Sequence, residues 1–248
     1  MQRLVDDYME RKNALSLELT DQQRRLAIIG LLLVAIAPSV SVTTGFVFQV
    51  GAMATVVFLF TKAWMFGLPV AWHVWVDGQE ISWSKPNNGG WGVSALLGLG
   101  MMVVIGGAYF LLGEKMLQPE ALKAILDPVG LTTPWKLAAA IVFWVFINSV
   151  LEEYVFRWFV TSKIEEIIGG KWRPILLSAL VFTLHHSIAL LFFLDITGAL
   201  IASIGVYIGG AVFSWIYLEY RSIWVAWLAH AMADVAIFAI AWNIVIGF

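Results

Sequence analysis

The sequence predicts an all-α membrane protein, a polytopic helical bundle with about seven transmembrane spans and a range of six to eight. Of its 248 residues, 60% are hydrophobic and 13% are charged, whereas soluble domains average about 25% charged residues. The mean hydropathy is +0.84. The apolar runs are long and continuous, unlike the short alternating segments of a transmembrane β-barrel. Lipid is therefore expected to replace water over most of the surface.

The composition also limits the partners and the chemistry. A net charge of −2 and the lack of a dense basic cluster argue against a nucleic-acid partner, which leaves membrane lipid and a protein or peptide. The absence of Cys excludes disulfides and a Cys nucleophile. The first 25 residues are polar, so we expect a cytoplasmic N-terminal tail over 1–25 and a single membrane domain over 26–248.

The first two spans come from residues 26–61, which are uncharged. A single helix of this length would measure about 54 Å, too long for a membrane core of about 30 Å. Pro38 and Gly45 favour turns, and we therefore predict a break at 38–45. The two spans are then placed at 26–43 and 46–66.

Five further spans are predicted after the Trp-rich segment at 71–76, which is expected to lie at the membrane interface. One short amphipathic helix is expected around 119–126, between the third and fourth spans. Asp195 to Gly198 and Glu219 to Arg221 predict tight turns. The spans are placed at 91–112, 136–160, 174–194, 199–218 and 222–246.

The basic residues predict the orientation of these spans. With seven spans, most Lys and Arg residues, Lys62 among them, lie on the side of the N-terminal tail, and the opposite side receives Lys115, Lys123 and Lys136. This distribution is typical of a cytoplasmic N-terminus. We expect a multi-pass protein of the cell (plasma) membrane, although one span more or fewer before residue 91 would reverse the later loops.

Ionisable side chains inside three spans indicate where the function lies, because each costs on the order of 3 kcal/mol at the centre of a bilayer. At the rise of an α-helix, those of the fourth and seventh spans lie roughly 12 Å below the cytoplasmic face and that of the fifth roughly 18 Å. Their similar depth favours one shared site over isolated structural contacts. The residues are Glu152, Glu153, Arg157, His186, His230 and Asp234.

The spacing of these residues makes the two glutamates different. Glu153 and Arg157 are four residues apart and share a helix face, so Arg157 can neutralise Glu153, whereas Glu152 points about 100° away. Two carboxylates so close should not both ionise easily in a low dielectric, which is one way to arrange a general base. His230 and Asp234 also share a face.

In these residues the sequence resembles the CPBP family of intramembrane proteases, which includes the type II CAAX prenyl endopeptidases and the bacterial Abi or bacteriocin-processing proteins. The motifs are Glu-Glu-x-x-x-Arg at 152–157, Phe-x-x-x-His at 182–186 and His-x-x-x-Asp at 230–234. They follow the order of the family on successive hydrophobic segments. The resemblance covers roughly 136–240, which it identifies as the protease core.

The resemblance implies an endopeptidase that hydrolyses a peptide bond in a membrane-associated or lipidated protein or peptide. Glu152 with His186 would activate the attacking water. His230 and Asp234 would lie where the oxyanion of the tetrahedral intermediate develops. The sequence does not choose between a lipidated C-terminus, a peptide precursor and a membrane helix as substrate. The supporting residues would be Glu153 and Arg157.

Asp234 departs from the family pattern, because the prenyl endopeptidases usually have Asn at this position. An ionised Asp cannot donate a hydrogen bond to an oxyanion, so Asp234 is either protonated or fixes the tautomer of His230; we favour the second. The neighbouring His185 is expected to point to a different face and either to be structural or to support the site residues. Glu152, His186 and His230 could hold zinc with an open position, but the HExxH arrangement is absent, and we expect no cofactor.

The sequence is also compatible with two other classes of function. A proton-coupled transporter could use the Glu/His cluster as a relay, although inverted repeats and broken helices are not visible. A non-catalytic scaffold or immunity protein could keep the CPBP fold and bind a partner.

Overall fold

The chain, described by a computed structural model over residues 19–48 and 52–247, is helical, and these residues contain no strand beyond one isolated bridge between Leu117 and Leu194. Most of the predicted tail therefore lies outside the described residues. The helices are α1 Asp21–Phe48, α2 Ala52–Ala71, α3 Trp91–Met116, α4 Pro119–Leu126, α5 Pro134–Ile168, α6 Trp172–Leu190, α7 Ile196–Tyr220 and α8 Ile223–Val245.

Helix α5 is continuous but changes its hydrogen-bonding pattern along its length. Two π-helical stretches, in which each bond reaches back five residues, separate three α-helical ones. The single α-helical turn between them carries both glutamates. Such π-helical insertions are rare and concentrate at functional sites. The segments are Pro134–Phe143 (α), Trp144–Asn148 (π), Ser149–Glu153 (α), Tyr154–Thr161 (π) and Ser162–Ile168 (α).

Seven of the described helices are long and apolar enough to cross a membrane, which confirms the predicted all-α polytopic bundle. The short amphipathic helix predicted around 119–126 is α4. A one-turn 3₁₀ helix, Asp127–Val129, follows it. The spans are Asp21–Gly45, Thr55–Val76, Trp91–Gly113, Pro134–Ile168, Trp172–Leu190, Ile196–Tyr220 and Ile223–Val245.

The predicted break at 38–45 is wrong, because α1 continues through Pro38 and Gly45 to Phe48. Membrane helices tolerate Pro when neighbouring groups satisfy the backbone. One hydroxyl group of the polar stretch bonds within the helix. Thr44 Oγ1 donates to the carbonyl oxygens of Val40 at 2.7 Å and Ser41 at 3.2 Å.

The second span extends further than predicted. The Trp-rich segment expected at the interface is a π-helical continuation of α2, Trp72–Val76. The span therefore runs over Thr55–Val76 and places Lys62 well inside it. The assignment of Lys62 to the basic residues of the cytoplasmic side is thus wrong, and its ammonium group needs a partner within the membrane.

Helix α5 occupies the centre of the bundle and contacts α1, α2, α6, α7 and α8, while α3 packs along α8 and α6 along α7. Glycines allow the closest approaches, as is usual between membrane helices. A Cβ atom at Gly98 of α3 would lie 3.1 Å from Ala229 Cα of α8. One at Gly210 of α7 would lie 3.4 Å from Ala179 Cα of α6.

Polar caps fix the starts of the last two helices at the predicted turns. Asp195 Oδ1 accepts from the backbone N–H of Gly198 at 2.6 Å and caps α7. Ser222 caps α8, and its hydroxyl donates to the carbonyl oxygen of Ser84 in the loop of 77–90 at 2.7 Å. The Ser84 hydroxyl in turn accepts from the N–H of Ile223 at 2.9 Å. This loop therefore anchors the helix that carries His230.

Candidate active site

His230 lies at the centre of the cluster that α5, α6 and α8 form. Its Nδ1 donates to Glu153 Oε1 at 2.8 Å. Its Nε2 lies 3.7 Å from Glu152 Oε2 and 3.7 Å from Asp234 Oδ1. The imidazole of His230 thus faces Glu153 with Nδ1, and its Nε2 faces the space between Glu152 and Asp234.

Glu153 and Arg157 form a fully buried ion pair, as their spacing predicts. Both side chains have 0% exposure, and Arg157 Nε lies 3.4 Å from Glu153 Oε2. The alignment is not that of a hydrogen bond, and no side-chain nitrogen of Arg157 has a hydrogen-bond partner within 19–48 and 52–247. Instead, the guanidinium lies over the rings of Phe182, at 4.5 Å, and Phe213, at 5.2 Å. Cation–π contacts of this kind are strongest when desolvated.

The orientation of the His230 ring is set by Glu153 and by aromatic packing. Phe213 stacks on the ring with centroids 4.7 Å apart, and Phe182 meets it edge-on at 5.8 Å. The expectation that Asp234 fixes the tautomer of His230 is therefore wrong, because Glu153 binds Nδ1 and Asp234 faces Nε2 beyond hydrogen-bond distance.

Glu152 differs from Glu153 in its access to solvent. The Glu152 side chain is 13% exposed and that of Asp234 17%, whereas that of Glu153 is 0%. Asn148 Nδ2 donates to Glu152 Oε1 at 2.7 Å. Lys62 acts electrostatically on Glu152 from α2. Of the two glutamates, Glu152 is therefore the one whose side chain is not fully covered by protein.

His186 has a defined tautomer when its ring is neutral. A carbonyl oxygen can only accept a hydrogen bond, so His186 Nδ1 is the donor in its 2.9 Å contact with the carbonyl of Phe182. Its Nε2 then carries a lone pair. His186 is half-buried, and its ring centroid lies 4.4 Å from that of Phe182.

The buried His185 lies beside the site rather than apart from it. Its ring centroid is 4.0 Å from that of His186, it stacks on Phe156, and its Nδ1 has no hydrogen-bond partner among the described residues. Ligand atoms of Glu152, His185 and His186 lie within 4.8 Å of one another. This group could offer ligands to a metal ion, and it differs from the set that the sequence gives as able to hold zinc, which contains His230 in place of His185.

His230 lies outside this group, although its bond to Glu153 through Nδ1 leaves Nε2 available as a ligand atom. Zinc prefers nitrogen and carboxylate ligands, and the group of Glu152, His185 and His186 meets this requirement in residue type. However, Lys62 and Arg157 both act electrostatically on His185. Two neighbouring cations oppose the binding of a divalent cation.

Sequence reasoning missed Asn148 and Lys62 and underrated His185. The signal that finds all three is the same one that found the motifs, a polar side chain inside an apolar span. Asn148 went unnoticed because it is uncharged, and the depth of Lys62 because the second span was placed at 46–66 instead of at Thr55–Val76.

Residues 134–236 match a family model described as type II CAAX prenyl endopeptidase Rce1-like. The matched segment includes all three motifs and covers less than half of the chain. No curated protein and no solved structure matches the chain. The family match confirms the resemblance to the CPBP proteases that the motifs predict. Together with the seven apolar helices, it supports an integral membrane protein and, at the level of the family, a CAAX-type intramembrane protease.

Proposed function

We propose that this chain, whose residues 134–236 are Rce1-like, is an endopeptidase that hydrolyses a peptide bond in a membrane-associated or lipidated protein or peptide. One observation carries the proposal. Glu152, the accessible glutamate, faces His230 Nε2 at 3.7 Å, while the buried Glu153 holds the opposite nitrogen of that ring at 2.8 Å. Amide hydrolysis requires such a pair, a base for water and an oriented group on the oxyanion side.

Glu152 and His186 are the groups that activate water in this proposal. The carboxylate of Glu152 takes a proton from the water, whose oxygen attacks the carbonyl carbon of the scissile bond. The lone pair on His186 Nε2 accepts a hydrogen bond from the same water. The proton on Glu152 then passes to the amine nitrogen as the C–N bond breaks. General-base catalysis of this kind contributes about 10²–10⁴-fold.

His230 stabilises the oxyanion in this proposal. An imidazolium at this position has three carboxylates as partners, from Glu152, Glu153 and Asp234, and it can donate through Nε2. Glu153 and Arg157 keep the ring in place, because their ion pair is sealed from solvent. A donor oriented in advance towards a developing negative charge lowers the barrier without reorganisation.

The proposal also covers the class of substrate and the orientation of the chain in the membrane. The description of the matched family names prenyl endopeptidases, so a farnesylated peptide that ends in a CAAX sequence is the first probe. The prenyl chain can remain in lipid while the peptide bond reaches the cluster. The excess of basic residues on one side supports a cytoplasmic N-terminus in the cell membrane.

The test uses the purified protein in detergent with three peptides: the farnesylated CAAX peptide, its unprenylated form and a peptide with an apolar membrane segment. Mass spectrometry identifies the cleaved bond. We expect Glu152→Ala and His186→Ala to abolish cleavage without a loss of folding. The matched control is Glu120→Ala, at a glutamate on α4 whose side chain is 91% exposed, and it should keep the wild-type rate.

Two results contradict the proposal. Cleavage that survives in Glu152→Ala excludes this mechanism. The second is that the wild-type protein cleaves none of the three peptides and instead carries protons across liposome membranes, and that Glu152→Ala abolishes this proton flux. Such a result supports a proton-coupled transporter that uses the Glu/His cluster as a relay.

A further inference from the structure

Asn148 lies on α5, half-buried and four residues before Glu152. It belongs to none of the three motifs, so the resemblance to the family does not explain it. An amide group within an apolar span is costly unless its polar atoms find partners. The partner of its nitrogen is Glu152, whose Oε1 accepts from Asn148 Nδ2 at 2.7 Å.

The local change of helix type brings these two residues onto one face. Trp144–Asn148 is π-helical, and the N–H of Ser149 still bonds to the carbonyl of Trp144, five residues back. From Ser149 to Glu153 the helix is α-helical. Residues four apart are neighbours on the surface of an α-helix, whereas a π-helical turn spreads its bonds over five residues. The α-helical turn therefore aligns Asn148 with Glu152.

The hydrogen bond gives the two carboxylate oxygens of Glu152 different surroundings. Oε1 is held by Asn148 at 2.7 Å, and Oε2 lies on the side of α8, 3.7 Å from His230 Nε2. With one oxygen fixed, the carboxylate cannot rotate freely about its last bond. A reacting group held in the productive geometry converts lost rotational freedom into rate.

We propose that Asn148 is a positioning residue, which orients Glu152 so that Oε2 takes the proton of the attacking water. The inference rests on the proposed function. Thr161 on the same helix provides the contrast, because its hydroxyl donates to the carbonyl of Phe156 at 2.8 Å and does not contact Glu152. Loss of a purely structural bond lowers stability, whereas loss of the Asn148 bond lowers kcat.

Three substitutions at Asn148 separate the contributions. Asn148→Leu removes the donor at similar volume and should lower kcat for the farnesylated CAAX peptide by about tenfold to hundredfold, because hydrogen bonds to a charged group are the strong ones. KM should stay within about threefold, since Asn148 acts through Glu152 and does not bind substrate. Asn148→Asp places a second carboxylate against Glu152 and should lower kcat further. Asn148→Gln keeps a donor and should retain more activity than Asn148→Leu.

Thr161→Ala is the matched control and should keep kcat within about twofold of the wild type. The proposal is overturned if Asn148→Leu keeps the wild-type kcat, or if Thr161→Ala loses as much activity as Asn148→Leu.

Infrared spectroscopy provides a readout that does not depend on activity. The carboxylate stretching band that disappears in Glu152→Gln identifies Glu152, and it should shift in Asn148→Leu because the hydrogen bond is lost. An unshifted band overturns the positioning role even if the peptidase activity is present. A shifted band in a protein that cleaves no peptide overturns the proposed function and with it the role in catalysis.

Discussion

The two adjacent glutamates of α5 should respond differently to the same substitution. Glu153→Gln removes one charge from an ion pair in which both side chains have 0% exposure, and it leaves the Arg157 guanidinium without its counter-ion. Breaking a buried pair in this way costs about 3–5 kcal/mol. Gln keeps an oxygen that can accept from His230, so we expect the lower end, about 3 kcal/mol. Glu152→Gln should cost less than about 1 kcal/mol, because Glu152 is partly exposed.

Thermal unfolding in detergent measures this difference. For a chain of this size, 1 kcal/mol corresponds to about 2–4 °C in Tm. Glu153→Gln should therefore lower Tm by about 6–12 °C, and Glu152→Gln by less than about 4 °C. The control Glu120→Gln, at a side chain that is 91% exposed, should leave Tm unchanged. Equal shifts for Glu152→Gln and Glu153→Gln, or the reverse order, would refute the distinction between an accessible and a sealed glutamate.

Three further predictions concern the rate of cleavage of the farnesylated peptide. Lys62→Met should lower kcat about tenfold, because it removes the cation of α2 that acts electrostatically on Glu152. Lys62→Arg keeps the charge and should keep most of the activity, whereas a wild-type rate in Lys62→Met would contradict a role of this charge in catalysis. Asp234→Asn should keep kcat within about tenfold because an amide can donate to an oxyanion, whereas inactivity would contradict the placement of Asp234 on the oxyanion side. Chelator treatment should leave the rate unchanged, with far less than one metal ion per chain by elemental analysis. Loss of activity that zinc restores would instead assign a metal site.

The positions of most helices along the chain could be predicted from the sequence, because continuous apolar runs determine where membrane spans lie. The break at Pro38 could not, because it rested on turn preferences taken from helices in water. Inside a membrane an unpaired backbone group costs more than a strained helix. The hydroxyl of Thr44 bonds within α1, and the chain remains helical through a segment that would form a turn in a soluble protein.

Contacts within a single helix were predictable, whereas contacts between helices were not. Residues four apart share a face, so the pairing of Glu153 with Arg157 followed from spacing alone. The bond from His230 to Glu153 depends on how α8 rotates against α5. Two π-helical stretches in α5 alter that rotation. The spacing of apolar residues in the sequence does not reveal where such stretches occur. For this reason the expectation that Asp234, the nearer residue in sequence, fixes the tautomer of His230 was wrong.

The central claim, that Glu152 activates water and does not itself attack the substrate, can be tested with labelled water. A single turnover in H₂¹⁸O, with enzyme in excess over the farnesylated CAAX peptide, is quenched, and both the peptide product and the Glu152-containing fragment are weighed by mass spectrometry. Attack by activated water places one ¹⁸O in the new C-terminal carboxylate of the product and none in Glu152. If ¹⁸O appears in Glu152 and the product is unlabelled, Glu152 forms a covalent intermediate, and the account given for this site is contradicted.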